Sequence, residues 1–206
     1  EAERTVSYEF GVATQVGADM AIDFTTYYKD IYGLIGSRKV YALPSAYYAL
    51  QNVEYGNVKG FEVAFSKSSK YFSADFAYSL SFAKGTASDA WDGYYDTYSD
   101  RDPVTGGDVI MPKIPYYLDF DQRHTINIGF VFRMPAKELP IYADNWTLSF
   151  DNSINSGQPY TPVNDKGVKT GVTNSERMPW TYGTDMKFRK GFLFGSFEPN
   201  VYVSVF

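Results

Sequence analysis

The sequence has no cysteine, which rules out both a disulfide framework and thiol catalysis. A single histidine leaves no His pair for zinc, and no Gly-x-Ser-x-Gly elbow of a serine hydrolase is present. With a formal net charge of -5 the chain lacks a basic excess, which argues against nucleic acid as a partner. No run of about eighteen apolar residues occurs, so no transmembrane helix is encoded. Nor is there a basic stretch followed by an apolar segment. Any signal peptide is therefore expected to have been removed or to lie outside this fragment. A mean hydropathy of -0.32 does not argue against a membrane. Strands that cross a bilayer need only about ten residues with every second one apolar, so their average stays polar.

Aromatic residues are abundant. The 19 Tyr, 16 Phe and 3 Trp make up 18% of the chain, and such rings favour strands and membrane–water interfaces. Alternation with a period of two runs through nearly every segment, while helical spacing is scarce. Val6, Tyr8, Phe10, Val12 and Val16 oppose Ser7, Glu9, Gly11 and Gln15. Met20, Ile22, Phe24 and Tyr28 oppose Asp23, Thr25 and Lys29. The same two-faced pattern recurs around Phe61–Phe65, Phe72–Phe82, Ile126–Phe132, Trp146–Phe150, Tyr182–Phe188 and Val201–Val205. This predicts about eight strands. Short connections are expected after Val16, Lys67, Met134 and Lys190, and long ones over roughly 35–50, 86–118 and 158–180, in strict alternation. Tyr71, Phe72 and Trp146 lie beside short turns; Tyr28, Tyr32, Phe82 and Trp180 lie beside long loops. Tight turns at one rim, long loops at the other and aromatics at both are expected of an outer-membrane barrel. A soluble β-sandwich would also alternate, but its loops need not alternate in length and its strands run to about five or six residues. The expected fold is an all-β, antiparallel transmembrane β-barrel segment.

Several stretches carry a family resemblance. Ser7-Tyr8-Glu9-Phe10-Gly11, then Ala21 to Ile31 ending in Tyr27-Tyr28-Lys29-Asp30-Ile31, resembles a strand–turn–strand of TonB-dependent outer-membrane receptors, especially those of Bacteroidetes-type membranes. Asn52, Gly56, Gly60, Phe61 and Glu62 resemble a further strand of the family, Asp121-Gln122-Arg123-His124-Thr125 a strand entry, and Ser156 to Pro162 a strand exit. The resemblance implies a barrel of about twenty-two strands with an N-terminal plug, driven by the inner-membrane TonB complex. Residues 1–206 would then be the C-terminal part of the barrel, without plug or TonB box and truncated within a strand, since Phe206 falls out of step with Val201, Val203 and Val205. It implies import of a small-molecule, glycan or peptide ligand by a Gram-negative cell's outer membrane. Its partners would be lipid, the remaining barrel strands, the plug and TonB, with no cofactor and no catalysis. A passive porin, or a small eight-stranded barrel acting as anchor or adhesin, is the second reading. A hydrolase built on His124 is the third.

Three groups of residues are candidates for function. Trp91, Tyr94, Tyr95 and Tyr98 of the longest loop present amphipathic rings that cover ligand area at little entropic cost. Asp89, Asp92 and Asp96 offer oxygens that suit calcium, though without EF-hand spacing. His124 is the one residue suited to acid–base work near pH 7, and its expected place is a strand mouth, bonded to Asp121 or Arg123. The polar set Glu9, Asp23, Lys29, Glu62, Asp75, Arg133, Asp151, Asp185, Lys187 and Arg189 is expected to line the interior; its mixed signs suit a plug or a wet lumen. The glycines at 56 and 60 are expected to relieve crowding within a strand.

Overall fold

Alternation fixes which residues share a face, and hydrogen-bond pairing then decides whether those faces add up across strands. A computed structural model describes residues 2–40, 42–92, 114–140 and 143–206. The chain is all-β: β1 (Arg4–Val16), β2 (Met20–Val40), β3 (Tyr47–Ser68), β4 (Phe72–Gly85), β5 (Tyr116–Tyr117), β6 (His124–Met134), β7 (Trp146–Asn155), β8 (Pro159–Tyr160), β9 (Glu176–Arg177), β10 (Thr181–Gly191) and β11 (Asn200–Val205). Eight long strands form one sheet in the order β1-β2-β3-β4-β6-β7-β10-β11, each antiparallel to the next. β5 adds to β4, and β8 and β9 pair separately. Among the described residues, β1 and β11 are paired on one side only.

The register carries one apolar face across the whole sheet. Phe24, Val63, Tyr78, Ile126, Ile154 and Tyr182 form one row of directly opposed residues. One residue away, Ala13, Asp23, Ala64, Ala77, Asn127, Ser153 and Gly183 form a polar, small-residue row. Phe61, Phe65, Ile128, Phe130 and Phe132 fall on the first face, and Glu62 and Arg133 on the second, as alternation requires.

Among the described residues no second layer covers the apolar face. The buried hydrophobic residues among those described are only Ala83, Ala87 and Leu118, and the largest fully buried side chain is Asp121. A sandwich would bury its phenylalanines between two sheets; here Phe10 remains 64% exposed and Val12 51%. Aromatic contacts instead run laterally, as in Phe24–Phe61 (6.1 Å) and Phe61–Tyr78 (5.8 Å).

Three connections depart from expectation, one of them the stretch after Lys190, which runs over residues 192–199 rather than closing as a tight turn. Residues 35–50 are mostly strand: Leu34 to Val40 pair with Glu54 to Tyr47. Gly33, at φ 71°, takes a left-handed conformation that a side chain would resist, and the register shifts there. Asn52 Nδ2 donates to the Gly33 carbonyl at 2.6 Å. The glycines that suggest a loop thus make a bulge, and the ladder resumes beyond it. Conversely, the connection after Met134 spans residues 135–145, longer than a tight turn. Asp144 holds it together by accepting from the Lys137 amide at 2.7 Å and from Lys190 at 3.3 Å. The asymmetry between rims survives in another form. One rim carries 17–19, 69–71, 135–145 and 192–199; the other carries the hairpin above Gly33, 86–123 and 156–180.

Candidate functional site

The rim with the long excursions holds an enclosed polar cluster centred on the most deeply buried side chain among the described residues. Asp121 is 1% exposed. Its Oδ1 accepts from the Ala83 amide at 2.6 Å, and its Oδ2 pairs with Arg177. Burial of a carboxylate without such donors would be prohibitive. Arg177 also reaches the carbonyls of Asp121 (3.0 Å) and Gly157 (3.1 Å), so one guanidinium joins the end of one long loop to the start of the other. Gly157 must be a glycine, since a Cβ there would overlap the Met178 backbone. Asn174 makes a second tie, donating to the Tyr117 carbonyl at 2.7 Å and to Asp119 Oδ1 at 2.6 Å. The Tyr117 ring lies beneath three cations, Lys84 (4.6 Å), Arg123 (4.6 Å) and Arg177 (5.5 Å). This clamp went unforeseen. Arg177 lies in a stretch without periodicity, far from Asp121 in sequence, and no local signal links the two.

The candidate loop residues fall partly within view. Trp91 is half exposed, just beyond the stem of β4. Tyr94, Tyr95, Tyr98 and Asp96 lie outside the described residues. Asp92 Oδ2 accepts from the Ser88 amide (2.5 Å), the Asp89 amide (3.2 Å) and the Tyr116 hydroxyl (2.9 Å), while Asp89 Oδ1 accepts from the Trp91 amide (2.5 Å). One oxygen of each acid is thereby used to shape the loop stem. Burial pushes the Tyr116 phenol above its usual range, and its bond to Asp92 adds to the effect. Among the described residues no group of three His, Cys, Asp or Glu is placed to hold a metal ion.

His124 is not bonded to Asp121 or Arg123 through its ring. It opens β6 opposite Leu80, so its side chain belongs to the apolar face, and Asp121 lies below the loops. The ring is stacked between Tyr78 (6.1 Å) and Trp180 (5.4 Å), with Nδ1 2.9 Å from the Tyr78 hydroxyl. The His124 amide is met by Ser156 Oγ at 2.9 Å. Among the described residues no carboxylate is bonded to the imidazole.

The polar face is the concave one. A trough of about 820 Å³ is lined from β1 to β10 by Gln15, Asp23, Ser66, Asp75, Asn127 and Asp151, among others. Glu9 pairs with Lys29 at 3.1 Å and Arg133 donates to Ser73 at 2.8 Å. A Cβ at Gly60 would overlap the Leu80 carbonyl oxygen and would also meet the Tyr27 hydroxyl at 2.8 Å; this glycine admits the neighbouring strand's backbone as well as a ring.

No protein-family model matches the chain, and no curated protein matches it. Among solved structures its fold is similar to the FrpB iron transporter from Neisseria meningitidis (F3-3 variant), with a TM-score of 0.60 and 14% sequence identity. The match covers 92% of this chain and 24% of that one, so the chain spans about a quarter of that structure's length. At this identity the likeness concerns the fold.

Proposed function

We propose that this chain forms part of the wall of a TonB-dependent transporter in the outer membrane, which captures a ligand at its long-loop rim and passes it inward without chemical change. The observation that carries this reading is the predominantly apolar face continued over eight strands, with no layer of the described residues upon it. Exposed apolar area on that scale needs a solvent other than water, and a sheet lying in lipid must find partners for its edges. Further strands of the same polypeptide would supply them, with a plug against the concave polar face. Similarity to an iron transporter makes iron complexes the first cargo to test. A binding role, rather than catalysis, accords with a His124 ring enclosed by two aromatics.

These 206 residues have no thiol, which permits a direct test of faces in the full-length protein once any cysteine elsewhere in it is replaced. Single variants Val63→Cys and Phe65→Cys should react with a bilayer-soluble maleimide, and Glu62→Cys and Ala64→Cys with a water-soluble one. The reverse pattern, or equal labelling by the aqueous reagent, would remove the membrane reading. Uptake of labelled ferric complexes with and without an energised inner membrane then tests transport separately.

A further inference from the structure

We infer that Lys59, Lys84 and Arg123 form a binding site for the phosphate of a membrane lipid headgroup on the long-loop side of the sheet. This rests on the proposed lipid contact of the apolar face. Lys59 stands opposite Phe82, and Lys84 opposite Asn57, so the two are diagonal neighbours about 7–8 Å apart in the ladder. Both are exposed, and Lys84 lies over the Tyr117 ring. Arg123 stacks on Phe82 at 4.8 Å and on Tyr117 at 4.6 Å, keeping a quarter of its side chain exposed.

Ring stacking holds Lys84 and Arg123 in place without cancelling their charge. The neighbouring carboxylates are committed to other donors. Asp30 accepts from Tyr55 (2.5 Å) and Asn57 (2.9 Å), Glu54 from Thr86 (2.6 Å), and Asp119 from Asn174 (2.6 Å). Asp121 is bonded to Arg177 and stands 4.0 Å from Arg123. Neither Lys59 nor Lys84 has an ion pair or hydrogen bond from its side chain among the described residues. A net-acidic chain therefore carries, where its apolar face ends, two lysines without ion pairs among the described residues and an arginine that shares the single carboxylate of Asp121 with Arg177. Tyr28 and Phe82 border these cations, at the level where aromatic rings meet headgroups. Phosphate supplies the missing charge, and acyl chains continue from it onto Phe61 and Leu80 below. A soluble anion would gain nothing from that apolar continuation.

The test uses the full-length protein in neutral detergent, titrated with phosphatidic acid or with uncharged diacylglycerol, and bound lipid is counted by native mass spectrometry. Phosphatidic acid should be retained over diacylglycerol by about tenfold, and removal of each charge should cost about fivefold. The exposed pair Lys59→Gln/Lys84→Gln is the main variant, because neither side chain makes a hydrogen bond or ion pair to the loops among the described residues; adding Arg123→Gln should deepen the loss and Arg123→Lys should spare part of it. Lys166→Gln, in an exposed turn, should change nothing. Retention of phosphatidic acid by the double variant at the unmodified level would overturn the inference. So would displacement of the lipid by millimolar inorganic phosphate, which would mark a soluble-anion site. Flotation of the protein with phosphatidylcholine vesicles separates the two readings. Failure to float refutes the membrane role and this site together, whereas flotation without phosphate selectivity refutes the site alone.

Discussion

Arg177 donates to the buried carboxylate of Asp121 across two loops that are separate in the chain. Asp121 lies at the end of the connection between β4 and β6, and Arg177 near the end of the connection between β7 and β10. The pair turns two long loops into one supported rim, on which any ligand-contacting residues would ride. Recognition from loops depends on such support, because a loop that moves freely loses entropy each time it binds.

Asp121→Ala should therefore unfasten the rim. It leaves Arg177 with an uncompensated, largely buried charge and the Ala83 amide without its acceptor, a change that typically costs about 3–5 kcal/mol. The loss is expected to be local. Limited proteolysis should cut within 156–180 far faster in the variant, while strands β6 and β7 keep their amide protection. Unchanged cleavage would mean that the loops are held by other contacts.

The two faces make a second prediction. Ile128→Arg places a charge mid-strand between Phe76 and Asn152 and should cost about 2–4 kcal/mol in lipid. Asn127→Arg, beside Ala77 and Ser153 on the trough, should cost much less. Refolding titrations of the full-length protein into bilayers compare the two; equal penalties would show the faces to be wrongly assigned.

What could be read from the sequence follows from the range of each interaction. Strand faces were legible because alternation is local: Phe61, Glu62 and Val63 already declare their sides. The hairpin above Gly33 was not, since glycine at 33 and 36 signals a break equally well whether a bulge or a loop follows. The connection after Met134 reads as short in the sequence because its ordering contacts, Asp144 to Lys137 and to Lys190, leave no mark on polarity. At the candidate site, the strand-entry segment 121–125 was singled out, but its acid was assigned to the wrong partner. Arg177 can be matched to Asp121 only once the sheet brings both to one rim.

The turn rim should respond to acid. Lys70, with Tyr71, holds the Glu138 carboxyl below its usual range, and the Lys137 amide, then Lys190, does the same for Asp144. A lowered folded-state value means that these contacts stabilise the turn fully above the ordinary carboxylate range, about pH 4. Their contribution then disappears as pH falls through the depressed values. Hydrogen exchange at the Lys137 amide, corrected for intrinsic rate, should lose protection in that acid window. In Asp144→Asn the same protection should be reduced at neutral pH and insensitive to acid.

The remaining prediction sets the loop rings against the histidine. Trp91 is half exposed beyond the end of β4, and Tyr94, Tyr95 and Tyr98 follow it in the same loop. Replacing all four by Ala removes amphipathic ring area from the stretch between β4 and β5, so binding or uptake should weaken while insertion and heat resistance of the protein remain. His124→Ala removes a ring stacked between Tyr78 and Trp180 and strips the Tyr78 hydroxyl of its partner. That should cost about 0.5–1.5 kcal/mol of stability, the worth of an aromatic contact, and leave uptake nearly unchanged. The two variants act on separable steps: the first on capture, the second on the fit of one strand mouth. Uptake rates, with surface abundance measured alongside, distinguish them. If His124→Ala abolished activity while the four-ring variant retained it, the imidazole would have to act chemically, and the receptor reading would yield to an enzyme.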